Sequence, residues 1–306
     1  RHSMGRSKAR QAAAPPPAQP PLPPPPRIGG HNDDYATFDS LEELWAHQEA
    51  HSAEFYAANA AWWEDGGYGG ANDDEAMIGD SGSAADLEHS MRVLRGALER
   101  FPTLKTRRAM DLGAGVGRVT KHVLLKSFDS VHLTEGSESL SKHSRKYLGH
   151  KRAQRCTFAH ESMQDIVPSP GAYSVVWIQW VLQYLVDRDV VAVLAACAAS
   201  LEDHGILIVK ENRPSWSSKE SRFEFDTPGG PNRRYDITRP DAHHAFLFAQ
   251  AGLVPLAAVD HFEETSTYLL ARAGGALAAA SAQVPGGGAP RHPHQQQQQQ
   301  ATKQRR

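Results

Sequence analysis

Apolar positions change their period along the chain. Leu41, Leu44, Trp45, Phe55, Trp62 and Trp63 predict one or two helices ahead of any strand, with aromatics that pack on the domain or cap a site. Leu87, Met91, Leu94 and Leu98 fall on one face of a helix over 84–100. From residue 108 short apolar runs alternate with helix-period stretches. The pattern predicts strands over 108–112, 130–134, 156–159, 173–179 and 205–211, separated by helices over 118–126, 137–148 and 187–201. A helix over 240–250 and two strands over 253–259 and 265–270 complete it. Ile206-Leu-Ile-Val209 is continuously apolar, as a parallel strand covered on both faces must be. Strand–helix units joined by short loops define an α/β fold with an open, doubly wound sheet, whose ligands sit at the carboxyl edge.

Composition then sets the limits. Residues 1–37 read as a disordered Pro-rich tail, with Ala12 to Pro26 almost only Ala, Pro and Gln, and 274–306 as a disordered Gly/Gln-rich tail, leaving one domain over 38–273. Gly66 to Gly82 is rich in Gly and Asp and reads as a long loop. Across 306 residues, 33 Lys+Arg against 35 Asp+Glu leave a net charge of −2, so no basic field exists for nucleic acid and none is expected as a partner. Cys156 and Cys197 have neither a disulfide framework nor zinc-site spacing, so no metal is expected and the compartment reads as reducing. No apolar run approaches the ~20 residues that span a bilayer, so a soluble, intracellular protein without a membrane partner is expected.

Candidate chemistry begins at Asp111-Leu-Gly113-Ala-Gly115-Val-Gly117-Arg118, where a strand gives way to a helix. Glycines there allow a tight turn and close approach of a ligand, and the new helix offers free N–H groups. Glu135 ends the next strand about 20 residues on, where an acid can accept both ribose hydroxyls of a nucleoside cofactor. The GxGxG spacing is similar to the class I S-adenosylmethionine (AdoMet) methyltransferase fingerprint rather than to a nicotinamide fold. Ser162-Met163-Gln164-Asp165, after the third strand, stands where that superfamily reaches the adenine.

Two further strings sharpen the likeness. Trp177-Ile-Gln179-Trp180 ends the fourth strand and Val209-Lys210-Glu211-Asn212 the fifth. Together with the glycine turn they resemble the eukaryotic α-N-terminal protein methyltransferases, which modify the free amine of proteins beginning Xaa-Pro-Lys. The resemblance runs from about Asp74 to Ala273. It implies a Rossmann-like doubly wound sheet of the class I methyltransferase type with an N-terminal helical extension, S-adenosyl-L-methionine as cofactor, protein N-terminal peptides as substrates, and a place in cytoplasm or nucleus. It also implies cofactor contacts from Gly113, Gly115, Arg118, Glu135, Gly136, Ser137, Met163, Gln164 and Gln179. Trp180 would wall the peptide channel and Asn212 would hydrogen-bond the incoming N-terminus or its first carbonyl. Met77-Ile78-Gly79 resembles a loop that closes over the cofactor, with Gly66 to Gly70 upstream as an insertion or a displaced equivalent.

Two departures touch catalysis. Tyr184 stands where many members carry His, so a phenol must hydrogen-bond or orient. A gap-free register places Arg234 where the family has an acid, and Asp226 or Asp236 could substitute. Asp236 could alternatively cap a helix starting near Thr238. Arg233, Arg234 and Arg239 would oppose a basic substrate. Two other functions fit the same residues: methyl transfer to a side chain or small molecule, and a catalytically silent module that binds cofactor or peptide.

Overall fold

The structure is a computed structural model, and it describes residues 24–34, 36–65, 83–214, 222–227 and 234–282. In chain order the strands are β1 (Gly30–Asn32), β2 (Thr37–Phe38), β3 (Arg108–Leu112), β4 (Ser130–Glu135), β5 (Cys156–His160), β6 (Tyr173–Gln179), β7 (Leu201–Asn212), β8 (Phe223–Asp226), β9 (Asp236–Thr238), β10 (Leu253–Pro255), β11 (Asp260–Phe262) and β12 (Thr265–Arg272). The helices are α1 (Leu41–Glu64), α2 (Ser83–Arg100), α3 (Arg118–His122), α4 (Glu138–Leu148), α5 (His150–Ala153), α6 (Asp187–Ser200), α7 (Asp241–Gln250) and α8 (Ala276–Ala282).

The main sheet runs β10-β12-β7-β6-β3-β4-β5, with β11 paired to β12. Strands β3 to β7 are mutually parallel, while β12 returns antiparallel against β7. Strand order reverses between β3 and β6, so the crevice at their carboxyl ends is where this topology leaves room for a ligand. Period-two alternation feeds two separate cores. Val176, Ile178, Leu207 and Val209 pack with α1, α6 and α7 on one face, and Val175, Trp177, Ile206 and Ile208 pack with α2 on the other. Both faces are thus covered, which is why β6 is buried along its whole length.

Sequence and structure differ at the margins. The helix predicted over 118–126 stops at His122 and continues as a 3₁₀ turn, Leu124–Lys126. The strand predicted over 253–259 ends at Pro255. A second, four-stranded sheet of order β2-β1-β8-β9 was not anticipated. Its first strand lies inside the segment 1–37 read as a tail, with Ile28 buried, and α8 lies inside the segment read as the second tail. β1 runs parallel to β8, and a Cβ on Gly30 would sit 2.2 Å from the Phe223 ring, so only glycine allows that approach. Among the described residues no helix is long and apolar enough to cross a membrane.

Candidate cofactor and substrate site

After Leu112 the chain turns through Gly113, Gly115 and Gly117, whose φ values are 65°, 56° and 90°, before Arg118 opens α3. These left-handed conformations favour glycine. At Gly113 space is closed as well, because a Cβ there would lie 2.7 Å from a Val181 methyl. Asp111 holds the turn from below, accepting from Thr120 N (3.0 Å) and Thr120 Oγ1 (2.6 Å). Burial pushes its pKa up to about 6 against those bonds.

A cavity of about 430 Å³ opens around the turn. Gly113, Gly115, Arg118, Glu135, Gly136, Ser137, Met163, Gln164 and Gln179 all line it, as do Trp180 and Tyr184. From α1, Tyr56, Asn59 and Trp63 close one side, so part of the aromatic set on that helix caps a site. Trp45, from the same set, instead stacks on Phe246. Tyr184 belongs to a 3₁₀ turn, Leu182–Tyr184, and meets Trp63 edge-on at 5.5 Å.

Glu135 ends β4 with one carboxylate oxygen accepting from Gly115 N (2.7 Å) and the other from Ser137 N (2.8 Å). Burial pushes its pKa up, and those N–H groups pull it down. Each oxygen keeps a lone pair, which suits a vicinal diol. Glu64, at the end of α1, accepts from Ser137 Oγ (2.8 Å), Glu138 N (3.0 Å) and Ser139 N (3.2 Å), and so caps α4 from a different element. No motif in the sequence pointed to Glu64.

Arg118 is buried, and its Nη2 donates to Asp86 Oδ2 at 2.7 Å. Its Nη1 is buried with no hydrogen-bond partner among the described residues. The guanidinium lies 5.3 Å from the centre of the Trp180 ring. Trp180 has φ 55°, rare for a residue with a side chain, and its backbone N–H donates to Lys210 O at 2.9 Å. Its indole Nε1 is buried and likewise unpartnered among the described residues. Glu211 braces the following turn, accepting from Val181 N and Leu182 N at 2.9 Å each, and burial pushes its pKa up to about 7.

These groups match AdoMet. The nucleoside needs an acid for its ribose hydroxyls, and Glu135 ends the strand where one is required. The amino-acid end needs a donor for its carboxylate, and Arg118 Nη1 is a buried cation donor without a bond. Met163 and Gln164, one apolar and one polar, line the same cavity.

The other candidates stand outside that cavity. Asn212 closes β7, and its Nδ2 donates to Gln183 Oε1 at 3.0 Å. Gln183 Nε2 reaches Trp180 O at 3.4 Å, so Asn212 is linked to Trp180 through one side chain. Asp226 and Asp236 are direct partners across β8 and β9. Asp236 sits in a strand and the next helix begins at Asp241, which removes the helix-cap reading. Burial pushes the Asp236 pKa up to about 6, Arg234 pulls it down and Asp226 pushes it up again. Arg234 donates to Asp236 Oδ2 at 2.8 Å and lies 4.7 Å over Trp62, which meets Trp63 edge-on at 4.7 Å. An aromatic wall therefore runs from Asp236 to the cavity.

Two of the three arginines do not oppose a cationic ligand as the sequence suggested. Arg239 is buried, donating to Asp187 Oδ1 (2.9 and 2.8 Å), Leu182 O (2.9 Å) and Leu185 O (2.6 Å). The charge of Arg234 is met by Asp236. Arg233, Gly66 to Gly70 and Met77-Ile78-Gly79 lie outside the described residues.

A doubly wound sheet with this glycine turn, ribose-side acid and buried arginine defines a class I AdoMet-dependent methyltransferase. The chain belongs to the family of AdoMet-dependent proline di-methyltransferases, whose family model matches residues 48–264. It is 32% identical over 168 residues to human N-terminal Xaa-Pro-Lys N-methyltransferase 1, covering 54% of this chain and 74% of the relative. It is also 32% identical over 188 residues to the alpha N-terminal protein methyltransferase 1 of Schizosaccharomyces pombe, covering 60% and 80%. A solved SAM-dependent methyltransferase of Leishmania major shares the fold, with a TM-score of 0.68 at 23% identity, over 83% of this chain and 100% of that one.

The glycine turn carries a direct prediction. Gly113→Ala must place a side chain at φ 65° and displace Val181 from the cavity wall. Strain of about 1–3 kcal/mol is expected, together with loss of measurable AdoMet binding in calorimetry. Retention of wild-type affinity would show that the turn is looser than this geometry.

Proposed function

We propose that the protein transfers methyl groups from AdoMet to the free α-amino group of protein N-termini of the Xaa-Pro-Lys type. The observation that carries this reading is the set at the carboxyl ends of β6 and β7. There Trp180, whose buried indole N–H has no partner among the described residues, lines the cofactor cavity and is tied through Gln183 to Asn212. AdoMet, when bound, supplies the electrophilic methyl group.

The protein's part is alignment and proton handling. Gly113, Gly115, Glu135, Gly136 and Ser137 would hold the nucleoside, Met163 and Gln164 the base, and Arg118 and Gln179 the amino-acid end. Because Asn212 Nδ2 donates to Gln183, its Oδ1 is kept as the acceptor for an N–H of the incoming amine, which aims the lone pair. Trp180 would wall a narrow channel that selects proline at position two by its fixed φ, its Nε1 donating to a peptide carbonyl. Tyr184 and Trp63 would exclude water beside it. An α-amino group has a reference pKa near 8, so at neutral pH a carboxylate that accepts a proton provides the nucleophile. Asp236 would fill that role with Asp226 opposite it, and Asp226 also suits a basic third residue, because Asp236 already answers Arg234 and Arg239 is buried against Asp187. Substrates of this kind are met in cytoplasm or nucleus, and the near-balanced charge of −2 supports the expectation that nucleic acid is not a partner.

Mass spectrometry of Ser-Pro-Lys and Ala-Pro-Lys peptides incubated with the protein and AdoMet, beside N-acetylated controls, tests the assignment. Methyl gains confined to the free-amine peptides are expected. AdoMet binding without any gain would transfer the reading to another acceptor or to a silent module.

A further inference from the structure

Beneath the cavity lies a buried charge cluster that no motif foretold. Asp86, on α2, is its centre. It accepts from Arg118 Nη2 at 2.7 Å, from Gln179 Nε2 at 3.1 and 3.0 Å, and from the ammonium of Lys210. Asp86 is 6% exposed, Arg118 4% and Lys210 0%, so none of the three is solvated. Lys210 Nζ also lies 3.1 Å from His89 Nδ1 and donates to Ser90 Oγ at 3.3 Å. The far side of His89 reaches Asp260, which is half exposed, at 3.2 Å.

Two features make this more than a core ion pair. Asp86 is the shared acceptor of Arg118 and Gln179, both of which line the cavity, and of Lys210. One donor of the cluster, Arg118 Nη1, has no hydrogen-bond partner among the described residues and belongs to a residue that lines the cavity. An anion entering the cavity would complete the hydrogen-bond count of that guanidinium. The methionyl carboxylate of AdoMet is such a group, and the nucleoside half of the cofactor is not.

We propose that Asp86 is a positioning residue for the amino-acid end of the cofactor: it fixes the Arg118 guanidinium and the Gln179 amide in the orientation that receives the carboxylate. Lys210 holds the Asp86 carboxylate from another side. The inference rests on the AdoMet site assigned above and is independent of which amine is methylated.

Calorimetry with three ligands separates this role from a structural one. AdoMet and S-adenosylhomocysteine carry the amino-acid end, and 5′-methylthioadenosine lacks it. In Asp86→Asn the Kd for the first two should rise roughly 30-fold, as loss of one charge-assisted contact implies. The Kd for methylthioadenosine should change less than twofold. Should the asparagine leave Lys210 unpaired and the protein unfolded, the double variant Asp86→Asn with Lys210→Met removes acid and competing cation together, and the same selective loss is expected of it. Equal weakening of all three ligands, or no weakening of any, overturns the proposal. A wild-type protein that binds none of the three would instead overturn the cofactor assignment itself.

Discussion

Asp187→Ala is expected to lower the unfolding free energy by about 3–5 kcal/mol, the usual cost of breaking a buried ion pair by removing one partner. The carboxylate is 2% exposed and holds four elements together. It accepts from Arg239 after β9, from His243 on α7 and from Trp45 on α1, and its own backbone N–H donates to Gln48 Oε1 at 3.1 Å. Removing it leaves the fully buried Arg239 guanidinium with carbonyl partners only. A domain of this size loses about 2–4 °C of Tm per kcal/mol, so a fall of roughly 10 °C should appear in calorimetry. The acid limb follows with a definite sign. Burial alone would raise the Asp187 pKa, but His243 and Arg239 hold it well below the usual carboxylate range. A group depressed on folding stabilises above its unfolded pKa of about 4 and loses that contribution as pH falls through the lower folded value. Urea midpoints between pH 5 and 2 should therefore fall less steeply in Asp187→Ala than in the wild type. A variant melting within about 2 °C of wild type would show that water replaces the carboxylate without cost. Activity should fall too, because Arg239 donates to Leu182 O and Leu185 O and so fixes the turn carrying Tyr184.

The main sheet and the cofactor loop were readable because each depends on local pattern. Ile206 to Val209 had to be a covered parallel strand, and Gly113 to Gly117 had to be a turn against Glu135. The small sheet was not readable. Its strands have two to four residues, too few to show a period, and Gly30–Asn32 finds its partner at Phe223–Phe225, beyond all five parallel strands of the main sheet. The same distance hid the polar scaffold of the site. Asp86, Glu64 and Asp187 look like ordinary helix-surface acids until the fold turns each toward an arginine, a helix end or a histidine. Arg239 misled for the opposite reason: in the sequence it is one of three basic residues near a substrate segment, and only burial shows that its charge is spent on Asp187.

Asp236→Asn is expected to reduce kcat on an Xaa-Pro-Lys peptide by about 100-fold or more, the range of a lost general base. Asp236 does not line the cofactor cavity, so the Kd for AdoMet should be unchanged, and that serves as the control for folding. Asp226→Asn should cost far less. Asp226 is the more exposed member of the pair, and its removal takes away a like charge that raises the Asp236 pKa, leaving the buried carboxylate in place. The pH profile separates the two roles. A base must be deprotonated to act, so wild-type kcat/KM should rise with pH through about 6 as Asp236 ionises, and again towards about 8 as the free peptide amine loses its proton. Asp226→Asn should shift the first rise to lower pH, since a repelling carboxylate is gone. Asp236→Asn should abolish the first rise and keep the second, because the amine titrates whatever the enzyme carries. A variant that retains both rises and loses less than threefold in rate would reduce Asp236 to the counter-ion of Arg234, and the proton would then have to leave through another group beside Asn212.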